Sequence, residues 1–350
     1  MSNSCFFRMI SVLSFFFSGL ILFGQTEDGP APKGWPPEAK TIYYLSAADK
    51  TMQPAVFYDP GKSDPVPLLV GLHSWSGDYR QINAYYLKEA KKRGWAMIFP
   101  NFRGPNWTPE GCGSDLAVED IVSAVEYMKK RLKIDTSRIY LMGSSGGGYA
   151  SMLMAGRHPE IWAGVCSWCG ISDLADWYHE TKAQDLPYSK HLEKACGGAP
   201  GTSPQIDEQY RHRSAITWGA GAKGVPLSLN HGIHDGHRKS SVPLSQSVRL
   251  FNKIAPEEKR VREDQIRWMV EKETIPPELQ KENEIDPLFG TSTVHFRRTA
   301  GNVRITIFEG GHSSVPAAGI EWLSRQKKGT PADWSVSEKS VKADQTAIQK

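Results

Sequence analysis

"RIYLMGSSGGGYASMLMAG", residues 138–156, decides the fold. An apolar run rich in strand formers ends at Gly143, two serines and three glycines follow, and a helix-like stretch starts at Tyr149. A strand that turns at once into a helix needs small residues where the two elements meet. Gly143-Ser144-Ser145-Gly146-Gly147 supplies them in the order G-x-S-x-G. Such a turn holds its central serine in strained backbone geometry and lifts the hydroxyl above the sheet, beside the free N–H groups of the new helix. Ser145 is therefore a candidate nucleophile. Read as a plain loop, the same residues would carry no chemistry, so the rest of the chain must decide.

The wider pattern favours the chemical reading. "PLLVGLHS" (67–74), "WAMIFPNF" (95–102), "WAGVCSW" (162–168), "VPLSLNHG" (225–232) and "VRITIFEGG" (303–311) are near-continuous apolar runs. Such runs suit strands buried on both faces, as in a parallel sheet. "TIYYLS" (41–46) and "AVFYDP" (55–60) suit an antiparallel opening pair. Helical patterns lie between the runs. In "SDLAVEDIVSAVEYMKKRL" (114–132), Val118, Ile121, Val122, Val125 and Met128 recur at helical spacing, Ser114 is a natural cap, and Lys129, Lys130 and Arg131 suit the negative end of the helix dipole. The alternation predicts one α/β domain over 41–326 with a mostly parallel central sheet flanked by helices. Polar, Gly/Pro-punctuated segments at about 171–224 and 255–300 read as insertions over the strand C-terminal ends. Residues 327–350 read as a mobile tail.

A serine nucleophile needs a base, and the base needs an orienting acid. The acid candidate is Asp235 in "LNHGIHDGH", and the base candidate is His312 in "IFEGGHSSVPAAGIEWL". Each follows a predicted strand, at the end where sites of open α/β sheets gather. Serine, acid and histidine also come in the chain order this architecture uses. His234 and His237 read as loop or rim residues, and Glu309 reads as lying inside the last strand, a poor place for the acid. The developing oxyanion needs N–H donors. Gly146, directly after Ser145, supplies one, and Trp75 or Ser74 in "HSWSGD" (73–78) the other. Trp107, Trp168, Trp177 and Tyr178 fall in loops near the strand ends, where their rings could stack on a sugar or aryl group or simply pack the insertion. Nothing in the sequence calls for a metal or organic cofactor.

"GSSGGG", "HGIHDG…VPLSQS" and "FEGGH", with "PNFRG" (100–104) and "IDTSRIYLMG" (134–143), resemble the catalytic domain of the prolyl oligopeptidase family of α/β-hydrolases. The resemblance spans roughly 65–325 and implies the triad Ser145, Asp235, His312. Two features depart from it. The stretch ahead of the first core strand has no room for the propeller that gates the family's peptidases. In addition, six residues, Gly236–Ser241, separate Asp235 from Val242, where the family's loop is shorter. Propeller-less exported members resemble carbohydrate or aryl esterases. The expectation is thus a serine hydrolase cleaving carboxylic esters, with acylated carbohydrate as a candidate substrate. The alternatives are a serine peptidase acting on short peptides and a silent binding protein on the same scaffold.

The remaining features bear on location. After Arg8, residues 9–23 are 15 residues without a charge, followed by a polar, Pro-rich stretch. This predicts a signal peptide over 1–24, a linker over 25–40, and a secreted or periplasmic protein with no membrane span once the signal is removed. With 42 basic and 38 acidic residues intermixed, the chain shows no basic tract suited to nucleic acid. In an exported protein, Cys112, Cys166, Cys169 and Cys196 could form a bridge, and one disulfide is expected.

Overall fold

The computed structural model describes residues 28–237, 240–282 and 286–335. Strands β1 (Gly29–Pro30), β2 (Lys40–Leu45), β3 (Met52–Tyr58), β4 (Val66–Leu72), β5 (Ala96–Pro100), β6 (Ile134–Ser144), β7 (Gly164–Trp168), β8 (Leu227–Gly232), β9 (Val294–Ala300) and β10 (Val303–Phe308) form one sheet. Their order is β1-β2-β3-β5-β4-β6-β7-β8-β10-β9. From β5 to β10 every neighbouring pair is parallel. The β1–β3 meander joins β5 antiparallel, and β9 closes the other edge antiparallel to β10.

The central strands read as continuous apolar runs because both their faces are covered: every residue of β4, β5 and β7 is buried. Helices α2 (Asp115–Arg131), α3 (Gly146–Arg157) and α7 (Ser245–Ile254) pack into the core on one face. Helices α1 (Ala84–Arg93) and α9 (Pro316–Ser324) pack into a second core with residues of the opposite face. In α2 the Ser114 side chain accepts from the Ala117 N–H, and the basic residues fill the last turn, as the sequence predicts.

The insertion at 171–224 is ordered as α4 (Leu174–Ala183), α5 (Tyr188–Cys196), α6 (Pro204–Arg213) and a 3-10 stretch, Ala215–Gly224. The segment 255–300 holds α8 (Glu263–Lys272), but its end is no excursion: Val294–Ala300 is the edge strand β9. Its His295, Arg297 and Arg298 hide the strand in the sequence, and charges of this kind are how edge strands avoid further pairing.

Two stretches assigned to flexible ends are packed. In the expected linker, Trp35 is buried edge-on against Phe99. In the expected tail, Trp334 stacks on Trp322 at 5.0 Å under the Arg304 guanidinium. Residues 1–24, the expected signal peptide, and 336–350, the end of the expected tail, lie outside the described residues. Among the described residues no helix is long and apolar enough to cross a membrane. The expected disulfide is absent: Cys112, Cys166, Cys169 and Cys196 are all buried free thiols. Cys166 sits inside β7, fully buried in the core.

Candidate active site

Ser145 stands at the β6–α3 junction with φ 59° and ψ −121°. A non-glycine residue at positive φ is strained, and the surroundings must hold it there. The Ser145 N–H donates to the Trp168 carbonyl at 2.9 Å, fixing the turn from the neighbouring strand. On either side the backbones are too close for any side chain. A Cβ on Gly143 would lie 2.3 Å from the Gly147 carbonyl group, and one on Gly146 would lie 2.3 Å from the Trp75 nitrogen. The glycines are therefore required by contact, not merely tolerated by a loop.

Asp235 and His312, 77 residues apart, meet because β8 and β10 are parallel neighbours in register from Leu227 and Val303 to Gly232 and Phe308. The loops leaving these strands start side by side. The Ile233 N–H donates to the Phe308 carbonyl and the His234 N–H to the Gly310 carbonyl, which locks them together. His312 Nδ1 then lies 2.7 Å from Asp235 Oδ2. The other carboxylate oxygen accepts from the Gly236 N–H at 2.9 Å, the Val242 N–H at 3.3 Å and the Ser240 hydroxyl. Burial alone would raise the Asp235 pKa. The hydrogen bonds from His231 and His312 outweigh it and hold the carboxyl well below the usual range. The aspartate stays ionised, and the other nitrogen of the His312 ring has no hydrogen-bond partner among the described residues.

Ser145 and His312 line one cavity of about 400 Å³. No hydrogen bond links their side chains among the described residues. Ser74, Trp75 and Ser76, from the loop after β4, also line the cavity. The Trp75 carbonyl accepts from the Asn106 backbone N–H at 2.8 Å and its side-chain amide at 3.4 Å, while the Trp75 N–H has no partner among the described residues. That N–H lies against the start of α3 beside Gly146. The Ser74 N–H, the other candidate donor, is taken: it donates to Gln81 Oε1 at 2.9 Å, as does the Ser74 hydroxyl. Ser74 lines the cavity without a free backbone donor.

The aromatic residues are arranged differently from the sequence expectation. Trp168, Trp177 and Tyr178 are buried and line no part of this cavity. Trp168 packs on Phe289 and Phe308, Trp177 supports the Trp75 indole edge-on at 4.7 Å, and the Tyr178 hydroxyl donates to Glu193. Trp107 packs against His191 outside the cavity. Tyr86 on α1 and Tyr188 on α5 line it instead. Neither sits in a strand-end loop, so no local signal marked them. His234 bridges Glu273 and Glu309 and His237 meets the Val270 carbonyl, and neither lines the cavity that Ser145 and His312 share. Among the described residues the one close set of metal-ligating atoms is Cys169, His231 and Asp235, all buried. All three already make hydrogen bonds inside the protein.

A model of the prolyl oligopeptidase family matches residues 80–273, more than half of the chain. The chain belongs to the prolyl oligopeptidase family. Members of this family are serine hydrolases, and the relatives include peptidases and esterases. The chain is 28% identical over 167 residues to the acylamino-acid-releasing enzyme of Rattus norvegicus, a match covering 41% of this chain and 22% of that enzyme. It is 27% identical over 117 residues to feruloyl esterase B of Thermothelomyces thermophilus, covering 30% and 40% respectively. The chain thus spans less than half the length of either curated relative it matches. Among solved structures, an acylaminoacyl peptidase from Pyrococcus horikoshii superposes with a TM-score of 0.59 at 17% identity, over 86% of this chain and 43% of that one. That likeness is one of fold.

Proposed function

We propose that this prolyl oligopeptidase-family chain cleaves carboxylic esters of uncharged, polar substrates, acylated carbohydrate being the leading class. Ser145 attacks the acyl carbonyl and His312 takes its proton. Asp235 keeps the imidazole in the right tautomer, and the N–H groups of Gly146 and Trp75 bind the oxyanion. His312 then protonates the leaving alcohol, and water releases the acyl group by the same steps in reverse. Hydrogen bonds of this kind are often open before substrate binds and tighten in the complex. The apolar run at 9–23 supports export, which fits a polymeric or extracellular substrate.

The observation that carries the substrate class is the cavity lining. Apart from His312, its lining among the described residues carries no acidic or basic side chain, only hydroxyls and amides such as Ser76, Gln81, Asn83 and Ser314 beside Tyr86 and Tyr188. A free peptide amine needs a carboxylate to replace its water shell, and none of the described residues lining this cavity carries one. A peptide with a blocked amine needs no such anchor. The similarity to the acylamino-acid-releasing enzyme therefore supports acylated peptides as the second reading.

Turnover of p-nitrophenyl acetate, acetylated and feruloylated xylo-oligosaccharides, acetyl-alanine p-nitroanilide and alanine p-nitroanilide separates these readings. The esters are expected to lead, with the free-amine anilide inert. Preference for the acetylated anilide would shift the assignment to the second reading. Labelling by a fluorophosphonate probe should vanish in Ser145→Ala.

A further inference from the structure

Behind the Asp235 carboxylate stands a second imidazole that the mechanism above does not use. His231, the last residue but one of β8, is completely buried. Its Nε2 lies 3.0 Å from the Val242 carbonyl and 3.2 Å from Asp235 Oδ2, the same oxygen that His312 Nδ1 meets at 2.7 Å. Both groups facing Nε2 are acceptors, so Nε2 carries the ring proton. On the far side, Nδ1 lies 2.8 Å from the hydroxyl of Ser247 on α7, also fully buried. The contact order is Ser247 Oγ, His231, Asp235, His312.

We infer that His231 is a positioning residue for the Asp235–His312 pair, with Ser247 setting its tautomer. The inference rests on the proposed triad. Its physical basis is the loop between Asp235 and Val242. That loop must return Val242 so that its N–H can cap Asp235 Oδ1, and Gly236–Ser241 make the return long. His231 grips the returning end through the Val242 carbonyl and faces the carboxylate with the same N–H. One ring proton thus fixes both ends of the loop. With the Ser247 hydroxyl donating to Nδ1, the proton has only the Nε2 position, and a flip that would aim a lone pair at the carboxylate is blocked. The groups around the ring are Asp235, the Cys169 thiol, the Val242 carbonyl and the Ser247 hydroxyl. Asp235, His231 and Cys169 bring their ligating atoms within 4.8 Å of one another.

The test uses Ser247→Ala, His231→Ala and Ser145→Ala in the full chain. It reads the rate of fluorophosphonate labelling, kcat and KM for p-nitrophenyl acetate, and the pH profile of kcat/KM. Loss of a hydrogen bond at a buried charge should slow labelling and lower kcat about tenfold in Ser247→Ala and more in His231→Ala, with KM within twofold. A carboxylate that has turned from His312 stabilises the imidazolium less, so the acid limb of the profile should move to lower pH by at least about half a unit. A packing defect alone would not move that limb. If His231→Ala fails to fold, Ser247→Ala decides alone. Labelling within twofold of the parent and an unmoved acid limb, with Ser145→Ala unlabelled, overturn this inference and leave the triad standing. Persistent labelling of Ser145→Ala overturns both.

Discussion

The backbones of Gly146 and Trp75 touch: a Cβ on the glycine would stand 2.3 Å from the Trp75 amide nitrogen and 2.5 Å from its Cα. Two N–H groups from segments 71 residues apart in sequence therefore converge beside Ser145, with no protein acceptor on the Trp75 one among the described residues. The Asn106 and Gln81 side chains hold the loop in that place by the Trp75 carbonyl and the Ser74 N–H.

Gly146→Ala should push this loop back and separate the two donors. Losing one oxyanion donor typically costs a factor of about 10²–10³ in kcat. We expect a fall of that size for p-nitrophenyl acetate with KM little changed, and a lowered Tm, because the added Cβ must push backbone apart. A variant within fivefold of parental kcat would exclude Trp75 as an oxyanion donor.

Asp235→Asn should be nearly as damaging. Asp235 Oδ1 faces three donors, so an asparagine would keep its oxygen there and turn its NH₂ toward His312 Nδ1. That forces the wrong imidazole tautomer, a change worth about 10⁴ in kcat in a serine protease. Steady-state kinetics should show a loss of about 10³-fold or more, with the fold unchanged by circular dichroism.

Glu180 on α4 makes a pH-dependent contribution to stability. Burial pushes its pKa up to about 7, against a hydrogen bond from Gln246 Nε2 to its carboxylate at 2.9 Å. Between about pH 4.5 and 7 the folded protein binds the proton more tightly than the unfolded chain, so stability falls as pH rises through that window and stays lowered above it. Glu180→Gln keeps the acceptor and removes the charge. Urea unfolding should find it more stable by roughly 2 kcal/mol at pH 8 and no different at pH 4. Equal stabilisation at both pH values would be evidence against this account.

The four described cysteines should behave as inert core side chains. Burial pushes the Cys166 thiol up to about 12 and Cys196 to about 11, and raises Cys112 and Cys169 as well. Ellman's reagent at pH 8 should leave these four untouched in the native protein and react with all of them in guanidinium. Dithiothreitol should not change the Tm. A Tm lowered by reductant would point to a disulfide.

Much of this protein was legible in its sequence, for a local physical reason. Strands buried on both faces must be apolar throughout, so β4, β5, β7, β8 and β10 announce themselves, and α2 does so by its period and its Ser114 cap. The turn at Ser145 is legible because contact leaves only glycine at Gly143 and Gly146. Asp235 and His312 are legible as polar residues just past apolar strands, in the right order. What the sequence left open is whatever depends on the partner rather than on the residue. The charged strand β9 pairs only because β10 offers an edge. Trp168, Trp177 and Tyr178 are core, while Tyr86 and Tyr188 reach the cavity, because helix packing decides which ring faces where. Trp75 rather than Ser74 is our proposed second donor because Gln81 occupies the Ser74 N–H. His231 gains its place behind Asp235 only because α7 brings Ser247 to its other side. Residue type and period are set along the chain, and adjacency across the sheet is set by folding.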